Sequence, residues 1–222
     1  MWVSPSAAAW CASPARGPEK AVRIEGYIGE PGNTAETVAS VLSIAGGAPV
    51  ELVINSPGGD AFEGAAIFAE LRNYPGRVTA AVRGIAASAA SLVAMGADDI
   101  VMDAAAVMMI HDPSALTIGP ARAHRQSAEM LDKLGGVYAA AYAGRSGNRL
   151  ADVVAWMEAE TWLTAEEAVA LGFADRVSEP PTKPQAVAVF DYSKFSRAPA
   201  ELVALARAKG WADLPSEFER RA

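Results

Sequence analysis

The sequence predicts an α/β domain, and three observations carry that expectation. The run Val-Glu-Leu-Val-Ile at 50–54 ends in Asn55-Ser56-Pro57-Gly58-Gly59, the pattern of a strand buried on both faces, as in a parallel sheet. Further short apolar runs at 77–82, 100–102 and 107–110 alternate with segments of helical spacing. With 222 residues and 51% hydrophobic composition, the chain is long enough to bury one core and is expected to form a single domain.

Residues 1–21 are rich in Ala, Ser, Pro and Gly without periodicity and read as a mobile N-terminal tail. A short strand at 23–28 leads through Gly29-Glu30-Pro31-Gly32 to Asn33, which is expected to cap a helix and pair with Glu36 in a capping box. Val38, Val41, Leu42 and Ala45 then share one helical face. After the 50–54 strand, Ala61, Ala65, Ile67, Phe68 and Leu71 keep helical spacing until Pro75-Gly76 stops the helix. Residues 84–95 are small and read as a helix after a tight entry. A long helix is expected at about 120–143, interrupted or kinked near Gly135-Gly136, and another at 150–157. Thr164-Ala165-Glu166-Glu167 is a capping box opening a helix that ends at Gly172. Beyond Val177 the prolines at 180, 181 and 184 break structure ahead of a short amphipathic helix around 199–209. Residues 22–178 are therefore expected to form the domain. Residues 179–222 read as a C-terminal extension, an oligomer-contact or tail element too short to bury a core of its own.

Charge and composition exclude several functions. The formal charge of −7 and the scattered basic residues give no positive field for DNA or RNA. The single cysteine, Cys11, has no partner for an internal disulfide and fits a reducing compartment, so a cytoplasmic location is expected. The small apolar stretch at 7–12 lacks the basic flank and length of a signal peptide. The apolar region at 85–110 is interrupted by Asp98, Asp99 and Asp103, so it reads as core rather than as a membrane span. No metal or cofactor is expected.

Three segments carry chemistry. Asn55-Ser56-Pro57-Gly58-Gly59, passing into a helix, offers backbone N–H groups that no Cβ obstructs; without a P-loop lysine it suits a developing oxyanion better than a phosphate. In Gly84-Ile85-Ala86-Ala87-Ser88-Ala89-Ala90-Ser91 a hydroxyl lies at a helix start among small residues. The N–H of Ala89 there follows the logic of placing an oxyanion donor just after a nucleophile. His111 ends the strand at 107–110, ahead of Asp112-Pro113, where catalytic groups collect at a sheet edge. His124, among Arg122, Arg125 and Gln126, reads as a solvated helix residue.

Together these segments resemble the Clp protease proteolytic-subunit family (peptidase family S14), whose sequences carry a Ser-Pro-Gly-Gly turn, a Gly-x-Ala-Ala-Ser segment and a Met-Ile-His-x-Pro segment in this order. Here they are residues 56–59, 84–88 and 109–113, and the resemblance spans about 23–177. It implies a ClpP/crotonase-type spiral of ββα units with a protruding handle helix at about 120–143. It also implies Ser88 as nucleophile, His111 as general base, and an oxyanion hole formed by the N–H groups of Gly59 and Ala89. Gly58 and Pro113 are the expected substrate-binding positions. Where the family carries an aspartate as third triad member, this chain has Glu160; Asp112 and Glu158 are the competing carboxylates. Glu-Thr-Trp-Leu at 160–163 and Ile28-Gly29 look more like the Clp-like head-maturation proteases of tailed phages and prophages. That likeness implies capsid or scaffolding protein as substrate, in place of a housekeeping subunit serving an ATP-driven unfoldase. The family further implies a homo-oligomer of stacked rings, commonly of seven subunits.

Other readings remain open at this level. The same superfold hosts crotonases, which leave Ser88 and His111 without a task, and Ser-Lys peptidases, which need a lysine where only Lys133 lies outside the chain ends. A catalytically silent ring or scaffold subunit is the non-enzymatic alternative.

Overall fold

A computed structural model describes residues 20–178 and 186–213 of the chain. Most of the expected N-terminal tail, Cys11 with it, and Pro180, Pro181 and Pro184 lie outside the described residues.

The elements alternate as the hydrophobic pattern requires: β1 (Lys20–Ile28), α1 (Ala35–Ala45), β2 (Val50–Gly59), α2 (Ala61–Asn73), β3 (Val78–Ala87), α3 (Ala89–Met95), β4 (Asp99–Asp103) and β5 (Val107–Ile110). They continue with α4 (Ala121–Ser146), α5 (Leu150–Glu158), β6 (Thr161–Thr164), α6 (Ala165–Ala170), β7 (Arg176–Ser178) and α7 (Ala200–Ala208). The main sheet runs β1-β2-β3-β4-β7 with parallel neighbours. Ile24, Leu52, Ile54, Val82, Ile100 and Met102 are fully buried within it, which is why these strands read as nearly continuous apolar runs.

Along the edge away from β2, strand β3 serves two partners in succession. Its first half, Thr79 to Val82, pairs with β4, and its second half, Ile85 to Ala87, pairs with β5. Beyond β5, β6 adds antiparallel, with Ile110 opposite Thr161. This split carries the chain at Ala87 out of the main sheet and delivers Ser88 beside the end of β5.

Four local expectations are corrected. Residues 84–87 are strand, not helix, because the second half of β3 gains a ladder with β5; the helix starts only at Ala89. The segment Asn55 to Gly59 is the extended end of β2, with a register shift between Ile54 and Ser56, rather than a tight turn. The cap of α1 is Thr34, whose hydroxyl accepts from the Thr37 N–H. Asn33 instead spends its amide on Glu25 and Tyr27, bridging the bulge of β1. Finally, α4 runs unbroken through Gly135 and Gly136. The capping box of Thr164 and Glu167 forms as read, and Gly172 adopts a left-handed backbone (φ 74°) just past α6.

Only the second half of α4 is anchored, through buried Leu134, Tyr138, Ala139 and Tyr142; Met130 and Val137 remain about half exposed. A second apolar cluster lies apart from the main core. There Ile85, Ala87 and Met109 are covered by Ala188, Tyr192 and Ala206 of the C-terminal segment. None of the described helices is long and apolar enough to cross a membrane.

Candidate active site

Ser88 joins β3 directly to α3 and holds φ 56°, ψ −126°, a backbone state that L-residues adopt at a cost of roughly 1–3 kcal/mol. The strand-serine-helix junction is the context in which a nucleophile is lifted clear of the sheet. Two features hold the strain. The Ser88 N–H donates to the Met109 carbonyl at 2.9 Å, fastening the junction to β5, and Ala86, Ala87, Ala89 and Ala90 around it are buried.

His111 is two residues past that same Met109. Its Nε2 lies 2.8 Å from Ser88 Oγ, within hydrogen-bond reach for proton transfer. The ring is half-buried, and loss of solvation lowers its pKa, opposed by the negative charges of Glu160 and then Asp112.

The end of β2 completes the approach. Gly58 (φ 99°) packs so closely that a Cβ there would sit 2.7 Å from both the Ala87 carbonyl oxygen and Ser88 Cβ. The chemistry therefore requires glycine at this point, for space as well as conformation. The Gly58 N–H donates to Ser56 Oγ at 3.1 Å, and Gly59 lines the cleft that holds Ser88 and His111. Ala89 opens α3, directly after Ser88.

Glu160 stands next to β6 at φ 49°, one position beyond the Ile110–Thr161 pair, and so on the same sheet end as His111. No hydrogen bond joins it to His111 among the described residues. Its carboxylate accepts from the backbone N–H groups of Ser196 (2.8 Å) and Arg197 (2.6 Å) and from Trp162 Nε1 (3.2 Å). Asp112 is exposed, and its carboxyl is raised chiefly by partial burial and then by Glu158, an arrangement that leaves it on the solvent side of the strand end.

The cleft has a volume of about 200 Å³ and is also lined by Tyr27, Pro113, Tyr138, Phe190, Lys194 and Phe195. Of these, sequence reasoning named only Pro113: Tyr27 and Tyr138 read as strand and helix residues, and nothing local in the C-terminal segment announces the contacts of Phe190, Lys194 and Phe195 with residues far earlier in the chain. Lys194 makes no hydrogen bond to Ser88 among the described residues, so the partner of the hydroxyl is histidine rather than lysine. Lys133 is not among the cleft residues, and His124 pairs with Thr117 on the surface through a 2.7 Å contact of its Nδ1. No cluster of three or more His, Cys, Asp or Glu capable of holding a metal occurs among the described residues.

The Clp protease family profile matches residues 30–181. The chain is 34% identical over 136 residues to the ATP-dependent Clp protease proteolytic subunit 1 of Protochlamydia amoebophila, covering 59% of this chain and 66% of that one. It is 32% identical over 130 residues to the ATP-dependent Clp protease proteolytic subunit 3 of Rhodococcus jostii, covering 58% and 64%. The match thus spans just under two thirds of the length of these relatives. Among solved structures, a ClpP1 point mutant from Listeria monocytogenes superposes with a TM-score of 0.65 at 21% identity, over 72% of this chain and 91% of that one.

Proposed function

The chain belongs to the Clp protease family, and from that premise we propose that it is a serine endopeptidase with Ser88 as nucleophile and His111 as general base. The observation that carries this reading is the 2.8 Å contact of Ser88 Oγ with His111 Nε2 at a strained strand-helix junction. His111 takes the hydroxyl proton as Oγ attacks the scissile carbonyl carbon, and the resulting oxyanion is received by the N–H groups of Gly59 and Ala89. Collapse of the tetrahedral species expels the amine, which receives the proton from the imidazolium. Water then attacks the acyl-serine ester as His111 takes its proton, and collapse releases the acid product and Ser88 Oγ, which recovers its proton from the imidazolium. Glu160 stabilises the imidazolium as the third member, and Gly58 and Pro113 guide the peptide along the cleft.

The relatives support a Clp proteolytic subunit of the housekeeping kind over the phage head-maturation reading drawn from residues 160–163, since the named subunits above are ATP-dependent. From membership of the family we infer a homo-oligomer, and propose for it stacked rings of about seven subunits. The projecting first half of α4 would be the handle between rings, protein would be the substrate, and an ATP-driven unfoldase a partner. The spiral of ββα units expected for this superfold is part of the same proposal; the sheet itself is mostly parallel, with β6 antiparallel. A crotonase reading gives the Ser88–His111 pair no task.

Cleavage of an unfolded protein such as casein tests the assignment. Ser88→Ala is expected to abolish it, to the background left by binding and the oxyanion hole; equal rates for the variant and the native chain would sink the nucleophile assignment.

A further inference from the structure

Glu160 differs from an aspartate by one methylene, and therefore by one more rotatable bond between backbone and carboxylate. A carboxylate that must hold its place beside an imidazole needs that freedom removed. The C-terminal segment does so. Ser196 and Arg197 each donate a backbone N–H to a different oxygen of Glu160, at 2.8 and 2.6 Å, both charge-assisted. The preceding residue, Phe195, meets the His111 ring edge-on, with centroids 5.7 Å apart and planes at 87°. Three consecutive residues therefore touch both the histidine and its carboxylate.

The segment is itself built onto the catalytic elements. The Asn55 side chain, just ahead of Ser56-Pro57-Gly58-Gly59, donates to the Ala186 carbonyl at 2.9 Å and accepts from the Ala188 N–H at 3.0 Å. Tyr192 is fully buried and donates its hydroxyl to the Ala188 carbonyl. Phe195 is wedged between Trp162 of β6 and Phe190, with centroids 5.5 and 5.3 Å away. Apolar burial against Ile85, Ala87 and Met109 holds the whole turn against the back of the strands that carry Ser88 and His111.

We propose that Phe195-Ser196-Arg197 is a positioning clamp: its two backbone N–H groups fix the Glu160 carboxylate while the Phe195 ring fixes the imidazole of His111. The inference rests on the triad reading given above. It makes the C-terminal segment a working part of the site rather than a tail. The charged groups facing His111 are then Glu160 across the sheet end, Asp112 on its own strand and Lys194 on the cleft wall.

Arg197→Pro removes one of the two N–H donors without altering any side chain that touches the site. His111 is one of only two histidines, so its titration can be followed by carbon-13 NMR, with His124→Asn assigning the other signal. The clamp predicts that Arg197→Pro lowers the His111 midpoint, as Glu160→Gln does, because the imidazolium loses its carboxylate. It should also slow acylation by a fluorophosphonate probe about tenfold, less than the ~10²-fold of a group displaced by about 1 Å, because the Ser196 N–H still holds one oxygen. In a Glu160→Gln background the same proline should shift the midpoint no further and slow acylation less than about twofold, since the two changes act through one interaction. An unchanged midpoint and rate, an equal loss in the Gln background, or a raised midpoint with faster acylation would each overturn the clamp. The last result would mean that the turn withholds Glu160 from His111. Should Arg197→Pro fail to fold, Phe195→Ala keeps both N–H donors: slowed acylation restored by Phe195→Tyr supports the clamp, and an unaffected rate refutes it. A Ser88 that takes no probe in the native chain would count against the peptidase reading alone, because the His111 titration reads the clamp without activity.

Discussion

At the scale of single residues, burial and charge pull His111 in opposite directions, and burial wins: its pKa lies below the ordinary 6.5. Only neutral imidazole can accept the Ser88 proton, so a lowered pKa keeps the base competent at lower pH. Acylation by a fluorophosphonate should therefore rise with pH through an inflection below 6.5 and level off above it. An inflection above that value would show that the carboxylates outweigh desolvation. The two nearest carboxylates separate by mutation. Glu160→Gln removes the charge held on the sheet end beside His111 and should lower kcat by on the order of 10²-fold or more, as loss of the orienting acid does in serine hydrolases. Asp112→Asn touches an exposed group on the solvent side and should change kcat by no more than about twofold. Peptide hydrolysis measured on both variants checks the ranking.

At the scale of elements, the Ser88 junction is tied to α4 by a buried hydroxyl pair. Ser91 Oγ lies 2.7 Å from the Ser88 carbonyl, 2.8 Å from the Met109 carbonyl and 2.8 Å from the Tyr142 hydroxyl of α4. Its single proton serves one carbonyl at a time, and Tyr142 supplies the proton between the two hydroxyls. Ser91→Ala strands the fully buried Tyr142 hydroxyl and should cost about 1–3 kcal/mol. Tyr142→Phe leaves Ser91 with its carbonyl acceptors and should cost less, about 1 kcal/mol. Urea unfolding of both variants measures the difference, and a larger loss for Tyr142→Phe would contradict this assignment of donors. The helical spacing of α2 and the continuous apolar run of the first half of β2, residues 50–54, could be read from the sequence alone. The second half of β3 could not, because Gly84 to Ala87 are small residues whose strand state comes from pairing with β5. Nor could β6, four residues whose extended form is set by the antiparallel ladder from Val107 to Ile110.

At the scale of the whole molecule, the proximity of Ser88 and His111 was legible because three short motifs in order resemble those of one family. The contact between them, 23 positions apart, follows from β3 and β5 lying side by side. Of the cleft walls, Gly59 and Pro113 were legible and the C-terminal side was not. Phe190, Lys194 and Phe195 arrive through hydrogen bonds that Asn55 makes more than a hundred positions along the chain, and an alanine-rich amphipathic helix such as α7 carries no signal of which surface it covers. The segment beyond residue 186 lies outside the residues matched by the family profile; it covers the apolar backs of β3 and β5 and donates two N–H groups to Glu160. The pairing of nucleophile and base remains the point on which everything else depends. Incubation with a fluorophosphonate probe, followed by peptide mapping of the native chain and of His111→Ala, tests it most directly. The expected result is a single adduct on Ser88 that disappears in His111→Ala; an adduct on any other residue, or undiminished labelling without the histidine, would contradict it.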